Sequence, residues 1–210
     1  AWGLAPKMVA ERAALYVADP INLTASFTYP ATSLVSYLFQ RVPGQFYEWQ
    51  CLAGLDILFL ACIAPAAAMP RKNWAGAVLV FAAGFLLPFF FSVVPAGTPS
   101  TIYANAMADT PLALLFGGTL CLYAAAGGRK TGFFACAMPL AVLTMTKDIG
   151  FAYALIVTFL IGLDQLFGTP HPDTKPARIF GVSLAKCSIL AAVVLAVFIS
   201  WNRYTAAVTP

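Results

Sequence analysis

Residues 140–157 read LAVLTMTKDIGFAYALIV, which sets a lysine and an aspartate side by side within an apolar run. Two folds compete for this stretch. In one, residues 133–163 form a single helix with Lys147 and Asp148 near its middle. Such a helix would be about 46 Å long at 1.5 Å per residue, against a hydrocarbon core of about 30 Å. It would also bury two charges at a cost of several kcal/mol before any pairing. In the other, the pair forms the turn of a helical hairpin between two shorter apolar segments. The turn is favoured, and the rest of the chain is read around it.

The surrounding composition makes a membrane the relevant solvent. Of 210 residues, 61% are hydrophobic and 10% are Asp, Glu, Lys or Arg, and the mean hydropathy is +0.83. A soluble domain carries about a quarter charged residues, so this chain reads as an all-α, polytopic integral membrane protein in contact with the lipid bilayer. The net charge of +4 comes from basic residues scattered between apolar segments, a pattern that sets topology and does not point to nucleic acid. The five cysteines lie mostly inside apolar runs, with no Cys-x-x-Cys and a single histidine, His171; small packing residues are expected, not metal or disulfide sites.

Six transmembrane segments are expected: residues 51–69, 74–94, 110–126, 133–146, 149–167 and 180–201. The fourth is short and carries Pro139, so it is a thin or partly inserted helix, or the first half of something longer. With a turn at Lys147, the loops MPRKNW, GGRKTG and GTPHPDTKPARIF alternate with PAGTPSTIYANAMAD and TKD. Arg71, Lys72, Arg129, Lys130, Lys175 and Arg178 then share one side, against Lys147 on the other. The positive-inside rule places loops 70–73, 127–132 and 168–179 in the cytoplasm. The first 50 residues, the loop ending at Asp109, the Lys147 turn and the chain after Asn202 fall outside.

Residues 1–50 form an outer region rather than a span. APKMVAERAALYVAD fits an amphipathic interfacial helix ending before Asp19-Pro20, and SFTYPATSLVSYLFQRV reads as an apolar but broken piece before Pro43-Gly44. Its dense aromatics suit a headgroup-level belt. Residues 51–204 are the helical bundle, and 205–210 open a further outer loop. The beginning AWGLAPKMV and the ending WNRYTAAVTP both read as cut from a longer polypeptide.

A few polar residues stand out. Asp56 lies within the first span, where an exposed carboxylate is costly, and is expected to face a partner helix or a water-filled cavity. Asp164 and Lys186 read as interfacial charges without a function. Gly117-Gly118 suit helix packing and Gly127-Gly128 a loop exit. In YANAMADTP, Asp109-Thr110-Pro111 fits a helix N-cap with proline in the first turn. Topology nevertheless brings Asp109 to the same side as Lys147, Asp148 and Arg203. That set is suited to an anionic group, such as the phosphate of a lipid carrier, in a partly dehydrated cleft. An ordinary polar turn and an ordinary cap stay open beside this reading.

The order of YPATSLVSYLFQRVPGQFYEW, YANAMADTPLALLFGGTLCLYA, LTMTKDIGFAYALI and FISWNRY resembles the middle of bacterial polytopic glycosyltransferases of the GT-C superfamily. That class includes protein O-mannosyltransferase-like and lipid A aminoarabinose transferase-like enzymes. The resemblance covers roughly residues 25–204 and implies sugar transfer from a polyprenyl-phosphate-linked donor to an acceptor outside a bacterial inner membrane. It implies an acidic residue in the first outer loop that activates the acceptor or binds a divalent metal ion. Residues 1–50 contain no Asp-Asp or Asp-Glu pair, since Glu11, Asp19 and Glu48 stand apart, so the main catalytic acid is expected upstream of this chain or is absent. YPATSL resembles a YPP stretch of that loop, with Ala31 in place of the second proline. Under the resemblance Lys147 contacts the donor phosphate, and Asp148, Tyr103 and Arg203 complete the substrate contacts. Asp109 orients an acceptor hydroxyl, accepts a proton or binds a metal. A non-catalytic membrane subunit and a lipid or solute transporter are the competing readings.

Overall fold

A computed structural model describes residues 29–41, 45–69, 73–90, 108–127, 130–168 and 176–208, together with Lys7 and Val9. Among them all regular structure is helical. The helices are α1 (Ala31–Gln40), α2 (Glu48–Ala67), α3 (Trp74–Phe90), α4 (Asp109–Ala126), α5 (Lys130–Ala135), α6 (Ala137–Thr144), α7 (Gly150–Leu163, followed by a π-helical turn Asp164–Gly168) and α8 (Pro176–Val208). The expected interfacial helix of residues 5–19 lies outside the described residues apart from Lys7 and Val9, both helical.

Six spans are expected from the sequence. Four helices among the described residues are long and apolar enough to cross a membrane: Glu48–Ala67, Asp109–Ala126, Gly150–Phe167 and Phe180–Ala207. The other two expected segments are apolar but shorter. The 17 residues of α3 reach about 26 Å, and the segment from Gly132 to Thr144 is divided. The division has a local cause. Pro139 has no N–H to offer the Ala135 carbonyl four residues back, and the chain turns at Cys136, whose N–H bonds the Phe133 carbonyl at 3.2 Å. The last segment differs in the opposite sense: α8 continues through Asn202 and Arg203 to Val208, so no loop opens at residue 205.

The Lys147 turn is present. α6 ends at Thr144, residues 145–149 turn, and α7 starts at Gly150. The carbonyls at the end of α6 are bonded locally: the Thr144 hydroxyl donates to Leu140 O and the Thr146 hydroxyl to Val142 O, while the Thr146 N–H reaches Leu143 O. α7 then packs so tightly that a Cβ on Gly150 would collide with the Leu143 carbonyl oxygen. The buried core runs along α4 to α8, with Leu115, Leu140, Leu143, Val157, Leu190 and Val194 at its centre.

α2 packs on α4 through a small-residue crossing. A Cβ on Gly118 would lie 2.9 Å from the Cys62 carbonyl oxygen and 3.1 Å from its Cα, whereas Gly117 faces open space. Of the paired glycines only Gly118 serves helix packing, by letting two backbones approach. At the other end of α4, Gly127 takes a left-handed conformation (φ 58°) and ends the helix.

α1 is an unbroken ten-residue helix, where the sequence suggests a broken piece. Its polar residues are the reason: Thr32, Ser33, Ser36 and Gln40 are buried against α2 and the turn, so the helix is not amphipathic in the usual sense. The Ala31 N–H donates to Met145 O at 2.9 Å, tying the start of α1 to the 145–149 turn. At its other end Gln40 brackets Tyr47, the residue before α2. Its Nε2 donates to Tyr47 O at 2.6 Å and its Oε1 accepts the Tyr47 N–H at 2.8 Å. Gln40→Leu leaves the Tyr47 N–H unpaired in a part-buried site, while Tyr47 O keeps the Gln50 N–H at 3.1 Å, and is expected to cost about 1–2 kcal/mol. A lowered thermal-unfolding midpoint in detergent checks this, and a midpoint equal to the parent's contradicts it.

Candidate functional site

Two polar clusters stand at opposite ends of α4. At its start, Asp109 is the first helical residue, preceded by Ala108, and no side chain caps the helix. This corrects the capping expectation: the carboxylate pairs instead with the Lys147 ammonium. An acidic residue in the first turn still complements the helix dipole. Two segments 38 residues apart are thus joined by one ion pair across the mouth of the α6–α7 turn. The Lys147 side chain is 38% exposed and that of Asp109 65%, so both are open to solvent and Asp109 is the freer of the two.

Asp148 points elsewhere. Its carboxylate acts on Tyr29, just before α1, whose phenol is pushed up first by burial and then by the Asp148 charge. The Tyr29 ring lies 6.2 Å from that of Trp201, which stacks on Tyr204 at 5.5 Å. One turn back, Phe198 stacks on Phe151 at 4.1 Å. Phe198, Trp201 and Tyr204 therefore form an aromatic face along the end of α8, beside the turn. Arg203 is exposed and makes no ion pair among the described residues, so it does not join Asp109 and Lys147. Tyr103 lies outside the described residues.

Tyr29 yields a pH prediction. Its folded pKa lies above the unfolded value of about 10, so the neutral phenol favours the fold. That contribution is fully present below pH ~10 and is lost as the pH rises through the folded pKa. In an absorbance titration, Tyr29→Phe is expected to remove one tyrosine's amplitude from the late tyrosinate component, and Asp148→Asn to move that amplitude to lower pH. An unmoved component in Asp148→Asn contradicts the coupling.

At the far end of α4, Tyr123, Asp164, Gln165 and Lys186 form a chain of hydrogen bonds. The Tyr123 hydroxyl donates to Asp164 Oδ2 at 2.8 Å and accepts from Gln165 Nε2 at 3.1 Å. Gln165 Oε1 accepts from Lys186 Nζ at 2.9 Å, and that ammonium sits 5.7 Å from the centre of the Phe133 ring. Asp164 and Lys186, expected as separate interfacial charges, are in fact linked through two buried side chains. The π-helical turn places Asp164 and Gln165 side by side toward α4 and α8, a use of π geometry often seen where side chains must converge. Every polar atom named has a protein partner, so the cluster is a tie between three helices.

Asp56, in α2, has a buried Oδ1 without a hydrogen-bond partner. The five cysteines are free. Among the described residues no group of three or more His, Cys, Asp or Glu side chains is arranged to hold a metal ion, and the Asp109 carboxylate already faces an ammonium. Among the described residues, the donor set around Asp109 therefore does not fit the divalent metal that the resemblance implies. Compared with protein-family models, curated proteins and solved structures, the chain matches none.

Proposed function

We propose that this chain is the core of a multi-pass membrane glycosyltransferase that moves a sugar from a polyprenyl-phosphate donor to an acceptor outside the membrane. In this reading all six apolar segments are embedded, α3 and the α5–α6 pair as thin spans. The basic loops at 70–73, 127–132 and 168–179 face the cytoplasm of a bacterial inner membrane. The ends carrying Asp109 and Lys147 then face outward. The observation that carries the proposal is the Asp109–Lys147 pair: a cation on a hairpin turn facing a carboxylate at the start of α4, at the same end of the bundle as an aromatic face. Lys147 is a compact charge suited to a phosphate. Asp109, beside it, orients an acceptor hydroxyl and takes its proton. Asp148, Tyr103 and Arg203 are assigned to the surrounding substrate contacts.

Transfer from a polyprenyl-phosphate-linked sugar by the full-length protein in proteoliposomes tests this, with Lys147→Ala and Asp109→Asn each expected to slow it at least tenfold. Unchanged rates in both variants would overturn the assignment. They would favour a non-catalytic membrane subunit, for which the closed ion pair is sufficient as a turn fastener. The buried, unpartnered Asp56 oxygen is the feature that favours a transporter, since ionisable groups within spans commonly line transport paths.

A further inference from the structure

The Asp109–Lys147 contact has a consequence for how the proposed phosphate site works. Lys147 has one carboxylate already on it, so a phosphate reaching the turn meets an occupied cation. We propose that Asp109 is a built-in occupant of the anion site, displaced by the incoming phosphate. Lys147 exchanges a carboxylate for a phosphate, and the carboxylate is set free beside the bound ligand. This rests on the reading of Lys147 as a phosphate contact and assigns that site its regulation.

Three observations support the exchange. Asp109 is the more exposed partner, at 65% against 38% for Lys147, so the carboxylate has room to swing away while the lysine keeps its place. Lys147 is carried by a turn whose backbone is bonded on both sides, through Ala31 N to Met145 O and Gly150 N to Lys147 O at 2.8 Å, so the backbone that presents the cation is fixed while its flexible stem lets the ammonium follow the incoming phosphate. The pair is also weak enough to open. Solvent-exposed ion pairs shift an equilibrium by no more than about fivefold, so the single charge of the donor's phosphodiester can compete for the ammonium, and a phosphate monoester such as the released carrier brings more charge and three acceptor oxygens to it. Coupling follows directly: Asp109 is available to an acceptor hydroxyl only after the phosphate has arrived, which keeps the base covered in the empty site.

The test is the affinity of the full-length protein, in nanodiscs of zwitterionic lipid, for dodecyl phosphate and separately for inorganic phosphate. Asp109→Asn keeps the side-chain size and removes the competitor, so dodecyl phosphate is expected to bind two- to fivefold more tightly than to the parent at low salt. The gain shrinks in high salt. Lys147→Ala loses binding, and adding Asp109→Asn to it restores nothing. A gain shared by inorganic phosphate assigns the site to the phosphate group alone. A gain confined to dodecyl phosphate assigns it to a lipid-borne phosphate. Either supports the exchange. Parent binding that Lys147→Ala abolishes but Asp109→Asn leaves unchanged or weakens overturns the exchange and leaves the phosphate site standing. Absence of binding to the parent and to Asp109→Asn alike overturns both.

Discussion

Gly150→Ala is expected to destabilise the protein by about 3 kcal/mol. In a helix, glycine to alanine ordinarily gains up to about 1 kcal/mol of propensity, so the sign itself is diagnostic. At Gly150 the added Cβ would land on the Leu143 carbonyl oxygen. That oxygen belongs to the backbone of α6 and cannot rotate aside as a side chain would. The hairpin must open instead, and the opening reaches everything fastened to the turn, including the Ala31 N–H on Met145 O and Lys147 on Asp109. At roughly 2–4 °C per kcal/mol for a chain of this size, the unfolding midpoint in detergent should fall by on the order of 10 °C. An unchanged or raised midpoint would show that α6 and α7 are not held in this contact.

The second large effect concerns chemistry. Lys147→Ala should raise the KM for the lipid-linked donor at least tenfold, because a hydrogen bond to a charged group contributes about 1.5–3 kcal/mol. Lys147→Arg should lose less, since it keeps the charge but presents a longer, planar fork on a site shaped for a point charge. Asp109→Asn should lower both kinetic constants. Donor binding tightens when the competing carboxylate is removed, while kcat falls because nothing takes the acceptor proton. A variant in which KM and kcat both stay at parent values would remove Asp109 from the reaction. The combination separates a catalytic role from that of a turn fastener, whose loss would lower stability and leave KM alone.

The turn at Lys147 was legible because its alternative was too expensive: one long helix with two charges at its centre. The fourth segment read as short and proline-bearing, a thin or partly inserted helix or the first half of something longer, but the break at Cys136 itself was not read. Nor was the helical character of residues 31–40. The stretch read only as an apolar but broken piece before Pro43-Gly44, and contact with α2 and the turn is what gives its polar side chains partners. Asp109 looked like a helix cap because Asp-Thr-Pro is the usual local pattern. Its true partner lies 38 residues away, and a tertiary ion pair outcompeted the local bond. The chain linking Tyr123, Asp164, Gln165 and Lys186 could not be read at all. Its bonds join residues 41, 42 and 21 positions apart, and it depends on a π-helical turn that no spacing rule announces. A charge near the end of an apolar segment does signal a buried partner, and Asp164 and Lys186 carried that signal without revealing each other.

The most direct test of the account is native mass spectrometry of the gently purified full-length protein, read for co-purified lipid. A bound polyprenyl phosphate that is lost in Lys147→Ala is the predicted result. Bulk phospholipid alone, in parent and variant alike, would contradict it.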